Sequence, residues 1–222
     1  MNIEEGDLAV MSKYTSELSL LILSAIIISA IPLVHIPFTW VSVFFHEISH
    51  GIVALLTGGS VDKIKLHFAG SGLCYTRGGI RFLILQSGYF GAVFWGVIIY
   101  MIAGKVKSKN ANIIIYTILG LIAISCILWG RDVITWIILL ILFTLFFCVL
   151  KLKTWKSGKI FLKVMGIYIL LDAIKSPLYL IDGRHYGDGS KLADLTHVPE
   201  FIWVIIWFSA GVMSLVYLWK RK

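Results

Sequence analysis

"WVSVFFHEISHGIVALLTGG", residues 40–59, decides the reading of this chain. It is apolar over a length that crosses a hydrocarbon core of about 30 Å as a helix. Yet His46, Glu47 and His50 stand near its middle. Ionisable side chains are costly at that depth and mark function more often than packing.

The surrounding sequence has the same apolar character. Of 222 residues, 59% are hydrophobic and 14% charged. Soluble domains carry about 25% charged residues. Seven apolar segments stand out, at about 18–36, 38–57, 86–103, 111–129, 132–151, 159–181 and 200–219. They predict an all-α polytopic membrane protein with about six or seven transmembrane helices, in one membrane-embedded domain over 1–222. Residues 1–17 read as an acidic N-terminal tail. The first apolar block is too long for a cleavable signal peptide.

Between the second and third segments, Ile64, Leu66 and Phe68 alternate with Lys63, Lys65 and His67. That is strand periodicity. "AGSG" and "RGG" supply turns, so 58–86 reads as a small β-hairpin or three short strands.

The net charge of +8 does not point to nucleic acid, because Lys and Arg collect in short loops between spans, where they set orientation. With the N-terminus outside and the C-terminus cytoplasmic, ten basic residues of the 104–110 and 151–159 loops and the tail lie inside. Only Lys13, Arg131, Arg184 and Lys191 lie outside, before the hairpin's own cations are counted. The three cysteines, Cys74, Cys126 and Cys148, form no framework and no metal motif.

His46-Glu47-Ile48-Ser49-His50 fits HExxH. Residues i and i+4 share a helix face, so both imidazoles can meet one ion. Neutral imidazole suits Zn2+, and Glu47 can act as general base on water that zinc acidifies. Chance would give about 0.004 such motifs in a chain of this composition. A buried polar cluster that pairs helices without metal is the bland alternative. Zinc needs a third ligand, and the late acids Asp172, Asp182, Asp188 and Asp194 are the candidates.

The chain here resembles the site-2 protease family of intramembrane zinc metalloproteases. "HEISHGIVALLTGG" resembles that family's first motif and its trailing glycine pair. "FAGSGLCYTRGGIRFLILQSGYFGAVFWG" resembles the hairpin and small-residue helix of a compact bacterial-type subgroup, and "GDGSKLADLTHVPEFIWVIIWFSAG" its closing segment. The resemblance implies zinc held by His46, His50 and an Asp of an Asp-Gly pair, with Glu47 catalytic. Two pairs compete. Asp182-Gly183 fits P-x4-D-G after Pro177, but Ile174 stands where Asn is expected. Asp188-Gly189 has no proline in register, yet the residues after it match better, so Asp188 is preferred. To reach the histidines, 182–199 must fold back as a re-entrant element, which is tolerated where it is buried in protein.

The implied activity is cleavage within or near transmembrane segments of membrane proteins, in the plasma membrane of a bacterium. The substrate would be a membrane protein with a transmembrane helix, embedded in the same lipid bilayer. The family's hairpin is thought to hold unwound substrate by strand addition, which would make proline in the 61–68 strand deleterious to cleavage. A catalytically inactive metal-binding scaffold is the alternative; a transporter would need two matching halves with broken helices.

Among the other polar residues, Asp172 and Lys175 can pair on one helix face, as a buried ion pair or with Lys175 snorkelling. His67 is expected to be an exposed strand residue. Gly88, Gly91 and Gly96 read as sites of close helix approach.

Overall fold

The computed structural model describes residues 5–107, 111–152, 155–181, 184 and 186–221. It is 78% helical, with eight α-helices and one two-stranded antiparallel hairpin among the described residues.

Helix α1 spans Glu5–Ala30. Of the acidic stretch expected to precede the first helix, residues 5–17 are part of it, and residues 1–4 lie outside the described residues. The helix ends before Pro32, which lacks an amide donor, and Leu33 turns the chain with φ 68°. Helix α2, His35–Leu56, carries the HExxH residues. Strands β1 (Ser60–His67) and β2 (Ser71–Arg77) follow. Then come α3 (Arg81–Lys105), α4 (Ala111–Trp129), α5 (Val133–Leu150) and α6 (Trp155–Lys175). The segment expected to run from 159 to 181 breaks at Pro177, and Ser176–Leu180 continues as a 3-10 turn. Helices α7 (Asp188–Thr196) and α8 (Glu200–Lys220) close the chain.

Among the described residues five helices, α2, α3, α4, α5 and α8, are long and apolar enough to cross a membrane. Of the seven expected segments, the first has a shorter apolar run, Ser16–Ala30. The sixth is interrupted by Lys159, Lys163, Asp172 and Lys175. Large apolar side chains such as Ile127, Leu140, Phe201 and Met213 are exposed on the outer helices. Lipid tails would be their natural surroundings, because every helical backbone bond is already made internally.

The core lies where α2, α3 and α6 meet. Phe44, Phe45, Ile48, Leu162, Met165 and Ile169 are buried there. The α3–α6 crossing depends on Gly96 and Gly166: a Cβ on Gly96 would stand 2.8 Å from the Leu170 backbone nitrogen and 2.9 Å from the Gly166 carbonyl. This is the close approach expected of Gly96.

The hairpin pairs Ile64 with Cys74 and Leu66 with Gly72. Ile64 and Leu66 are buried and Lys63 and Lys65 half-buried, as the alternation requires. The other edge of β1 is occupied. Ile64 bridges Gly130, and the Leu66 amide donates to Thr135 Oγ1 at 3.0 Å. Thr135 donates its hydroxyl (2.8 Å) and its amide (3.0 Å) to Asp132, the N-cap of α5. Partial burial works against charge on Asp132, but the two Thr135 donors outweigh it and hold the carboxyl below its usual value. The hairpin is thus fastened to the α4–α5 corner through β1, leaving β2 to face the HExxH helix.

Candidate metal centre

On α2 the one-turn spacing sets His46 and His50 side by side, with Nε2 atoms 3.1 Å apart. Asp188, the first residue of α7, places Oδ2 3.2 Å from His46 Nε2 and 3.1 Å from His50 Nε2. The chain returns from α6 through the Pro177 turn, and α7 packs against α3 and α8 with Leu192 buried.

These three are the His/Cys/Asp/Glu group among the described residues that could hold a metal ion. A tetrahedral ion with ligands at roughly 2.0–2.1 Å needs neighbouring donor atoms about 3.3–3.4 Å apart. The observed edges of 3.1, 3.1 and 3.2 Å are close to that face, and two imidazoles with one carboxylate are a donor set zinc accepts. The residues fit the group. Asp182, the rival ligand, and His185 lie outside the described residues.

The rings are held from behind. His50 Nδ1 lies 2.6 Å from the Ile84 carbonyl, which accepts its proton. That bond leaves Nε2 free as a ligand and is the outer-shell contact that fixes a metal-binding tautomer. His46 meets the Tyr89 ring edge-on at 4.6 Å. Tyr89 in turn stacks on Trp207 of α8 at 4.3 Å, and the Trp207 indole donates to Gln86 at 2.8 Å. Alpha-helices 3 and 8 thereby frame the centre from one side.

Glu47 is 5% exposed and points to the opposite side, toward β2. The Cys74 backbone reaches its carboxylate, and Gly72 lies flat against it. Both open into a cavity of about 1380 Å³ that also reaches His46, His50 and Asp188. β2 lines this cavity from Ser71 to Thr76, and α1 contributes Ala25, Ile26 and Ser29. The strand facing the metal centre is therefore β2, and the expectation centred on 61–68 is corrected: both sides of β1 are already engaged. Cys74 is pushed up by burial and by the nearby Glu47 and Asp188 carboxylates, so its thiol stays protonated.

Other expected roles differ. Asp172 lines the cavity, where it accepts a 2.5 Å hydrogen bond from Ser42. Among the described residues it makes no ion pair with Lys175, whose ammonium sits over the Tyr179 ring. His67 lies on β1 as expected, half-buried rather than exposed, and is not among the cavity-lining residues. His197 terminates α7 in a left-handed conformation. Sequence reasoning missed the Ile84 carbonyl, Tyr89 and the contacts of Gly72 and Gly88. A backbone carbonyl carries no sequence signal at all, and a glycine shows its meaning only through what it faces.

A family model described as Peptidase M50B-like matches residues 19–219. No curated protein and no solved structure matches the chain significantly. The chain belongs to the Peptidase M50B-like family, membrane metallopeptidases of the site-2 protease type, and with its five apolar helices it is an integral membrane protein.

Proposed function

We propose that this member of the family is an active intramembrane zinc endopeptidase that cleaves membrane proteins within or near a transmembrane helix. The observation that carries the reading is the near-equilateral triangle of His46, His50 and Asp188 donor atoms beside the buried Glu47 carboxylate. His46, His50 and Asp188 would hold one zinc. Zinc there supplies Lewis acidity, polarising a carbonyl and acidifying water.

Glu47 would take a proton from water as the peptide carbonyl is attacked and pass it to the departing amine. β2 presents a strand edge to the same cavity, where an unwound substrate segment could add as a further strand and recover the backbone partners it lost with its helix. Thr135 and Asp132 would hold that edge in register by fastening β1 on its far side. The lysine distribution supports an N-out, C-in orientation, and the single peptidase unit would extend over 1–222.

The test is cleavage of a transmembrane reporter by purified protein in lipid. Glu47→Gln keeps the shape of the side chain and removes its basicity. Cleavage by wild type and none by Glu47→Gln supports a peptidase. A wild type that holds zinc yet cleaves no transmembrane reporter points to a non-catalytic metal-binding scaffold instead.

A further inference from the structure

Two glycines press on the site side chains, one from α3 and one from β2. We propose that Gly88 and Gly72 are positioning residues: Gly88 keeps open the space in which the two histidines share an ion, and Gly72 seats the Glu47 carboxylate. The proposal rests on the zinc-peptidase reading and adds residues to it.

Neither glycine has the positive φ that would demand glycine on conformational grounds. At Gly88 the helix would favour alanine. Space is what excludes a side chain. A Cβ on Gly88 would stand 2.4 Å from His46 Nε2, 2.5 Å from His50 Nε2 and 2.6 Å from His46 Cε1. Unbonded heavy atoms prefer about 3.5–4.0 Å. The obstructing atoms are the tips of two rings, so the helices need not part; the rings would turn. Turning them breaks the donor triangle with Asp188 and draws His50 Nδ1 from the Ile84 carbonyl. The fold is kept and the metal site lost.

Gly72 follows the same logic on the other side of α2. Its Cβ would stand 2.6 Å from Glu47 Cγ, 2.8 Å from Oε1 and 2.9 Å from Val43 Cγ1. The side chain most easily displaced is Glu47 itself. Alanine here moves the base and leaves the three ligands in place. Gly96 is the counter-example, because the atoms a Cβ would meet there are backbone, so alanine at that position threatens the fold.

Detergent-purified wild type, Gly88→Ala, Gly72→Ala and His46→Ala are compared for zinc per chain, for the visible spectrum after cobalt loading, and for thermal midpoint. Gly88→Ala is expected to unfold near the wild-type temperature and to lose zinc and the cobalt spectrum as His46→Ala does. Gly72→Ala is expected to keep both, and to cleave a transmembrane peptide roughly 10²-fold more slowly with unchanged KM, the scale of a misplacement of about 1 Å. Zinc retained in Gly88→Ala overturns its role; wild-type turnover in Gly72→Ala overturns the other. Should Gly88→Ala lower the midpoint, removing both rings in His46→Ala/His50→Ala/Gly88→Ala is expected to bring it back to that of His46→Ala/His50→Ala, and no recovery counts against the clash. Zinc absent from folded wild type overturns the proposal together with the zinc-peptidase reading. Zinc bound but no peptide cleaved by wild type overturns the Gly72 role and the peptidase reading, and leaves Gly88 judged on zinc alone.

Discussion

Ser42 donates a 2.5 Å hydrogen bond to the Asp172 carboxylate, tying α2, one turn before His46, to α6. Ser42 is 2% exposed, and Asp172 is half-buried where it lines the cavity. Losing one partner strands the other, which costs about 1–3 kcal/mol for a buried polar group. Ser42→Ala is therefore expected to lower the thermal midpoint in detergent by several degrees while zinc per chain stays at the wild-type value. An unchanged midpoint would show that the Asp172 carboxylate finds water instead.

The Thr135 hydroxyl links the β1 backbone to the α5 N-cap. Thr135→Val keeps the shape and leaves the Leu66 amide without its acceptor, and should destabilise by about 1–3 kcal/mol. Asp132→Ala removes the cap and should cost about 1 kcal/mol. The Asp132 carboxyl is held below its ordinary value in the fold. Its contribution is thus complete above that ordinary value, near pH 4, and fades as pH falls through the lower, folded value. Wild type should lose stability in that acid range more steeply than Asp132→Ala, as read from unfolding midpoints across pH.

Lys163 is buried on α6 and pairs with the half-exposed Glu17 of α1 at 2.5 Å. Glu17→Ala strands a buried ammonium, whereas Lys163→Met removes the charge and keeps the stem. A buried ion left without its partner is less stable than an apolar group in its place. Glu17→Ala is expected to be the less stable variant in thermal unfolding; the reverse order would mean that Lys163 reaches water.

Gly96→Ala sets a methyl group into the Gly166–Leu170 backbone. Helices must part to admit it, and overpacking of this kind costs roughly 1–3 kcal/mol. The expected outcome is a lower midpoint with zinc retained in the fraction that stays folded.

The HExxH helix and the hairpin were legible because their signals are local: an i, i+4 pair on an apolar helix and a two-residue alternation. Five of the apolar segments became helices within a few residues of the expected bounds. The first and sixth differed for identifiable reasons. Helix α1 extends back through polar residues that an apolar scan ignores, and Pro177 cuts the sixth segment where composition alone runs on. Asp188 was preferred for the residues that follow it, although both Asp-Gly pairs read as turns; what carries it to the histidines is the packing of α7 on α3 and α8, which no local pattern announces, and Asp182 lies outside the described residues. The strand facing the centre also needed the fold. β1 looks the better strand by alternation, but the Gly130 bridge and the Thr135 hydroxyl occupy its edge, leaving the small residues of β2 against Glu47.

The most direct test of the central claim is zinc per chain in folded, detergent-purified protein, for wild type, His46→Ala, Glu47→Gln, Asp182→Asn and Asp188→Asn. A three-ligand site of His46, His50 and Asp188 predicts about one zinc in wild type, Glu47→Gln and Asp182→Asn, and none in His46→Ala or Asp188→Asn. Full zinc in Asp188→Asn with loss in Asp182→Asn, or no zinc in folded wild type, would contradict it.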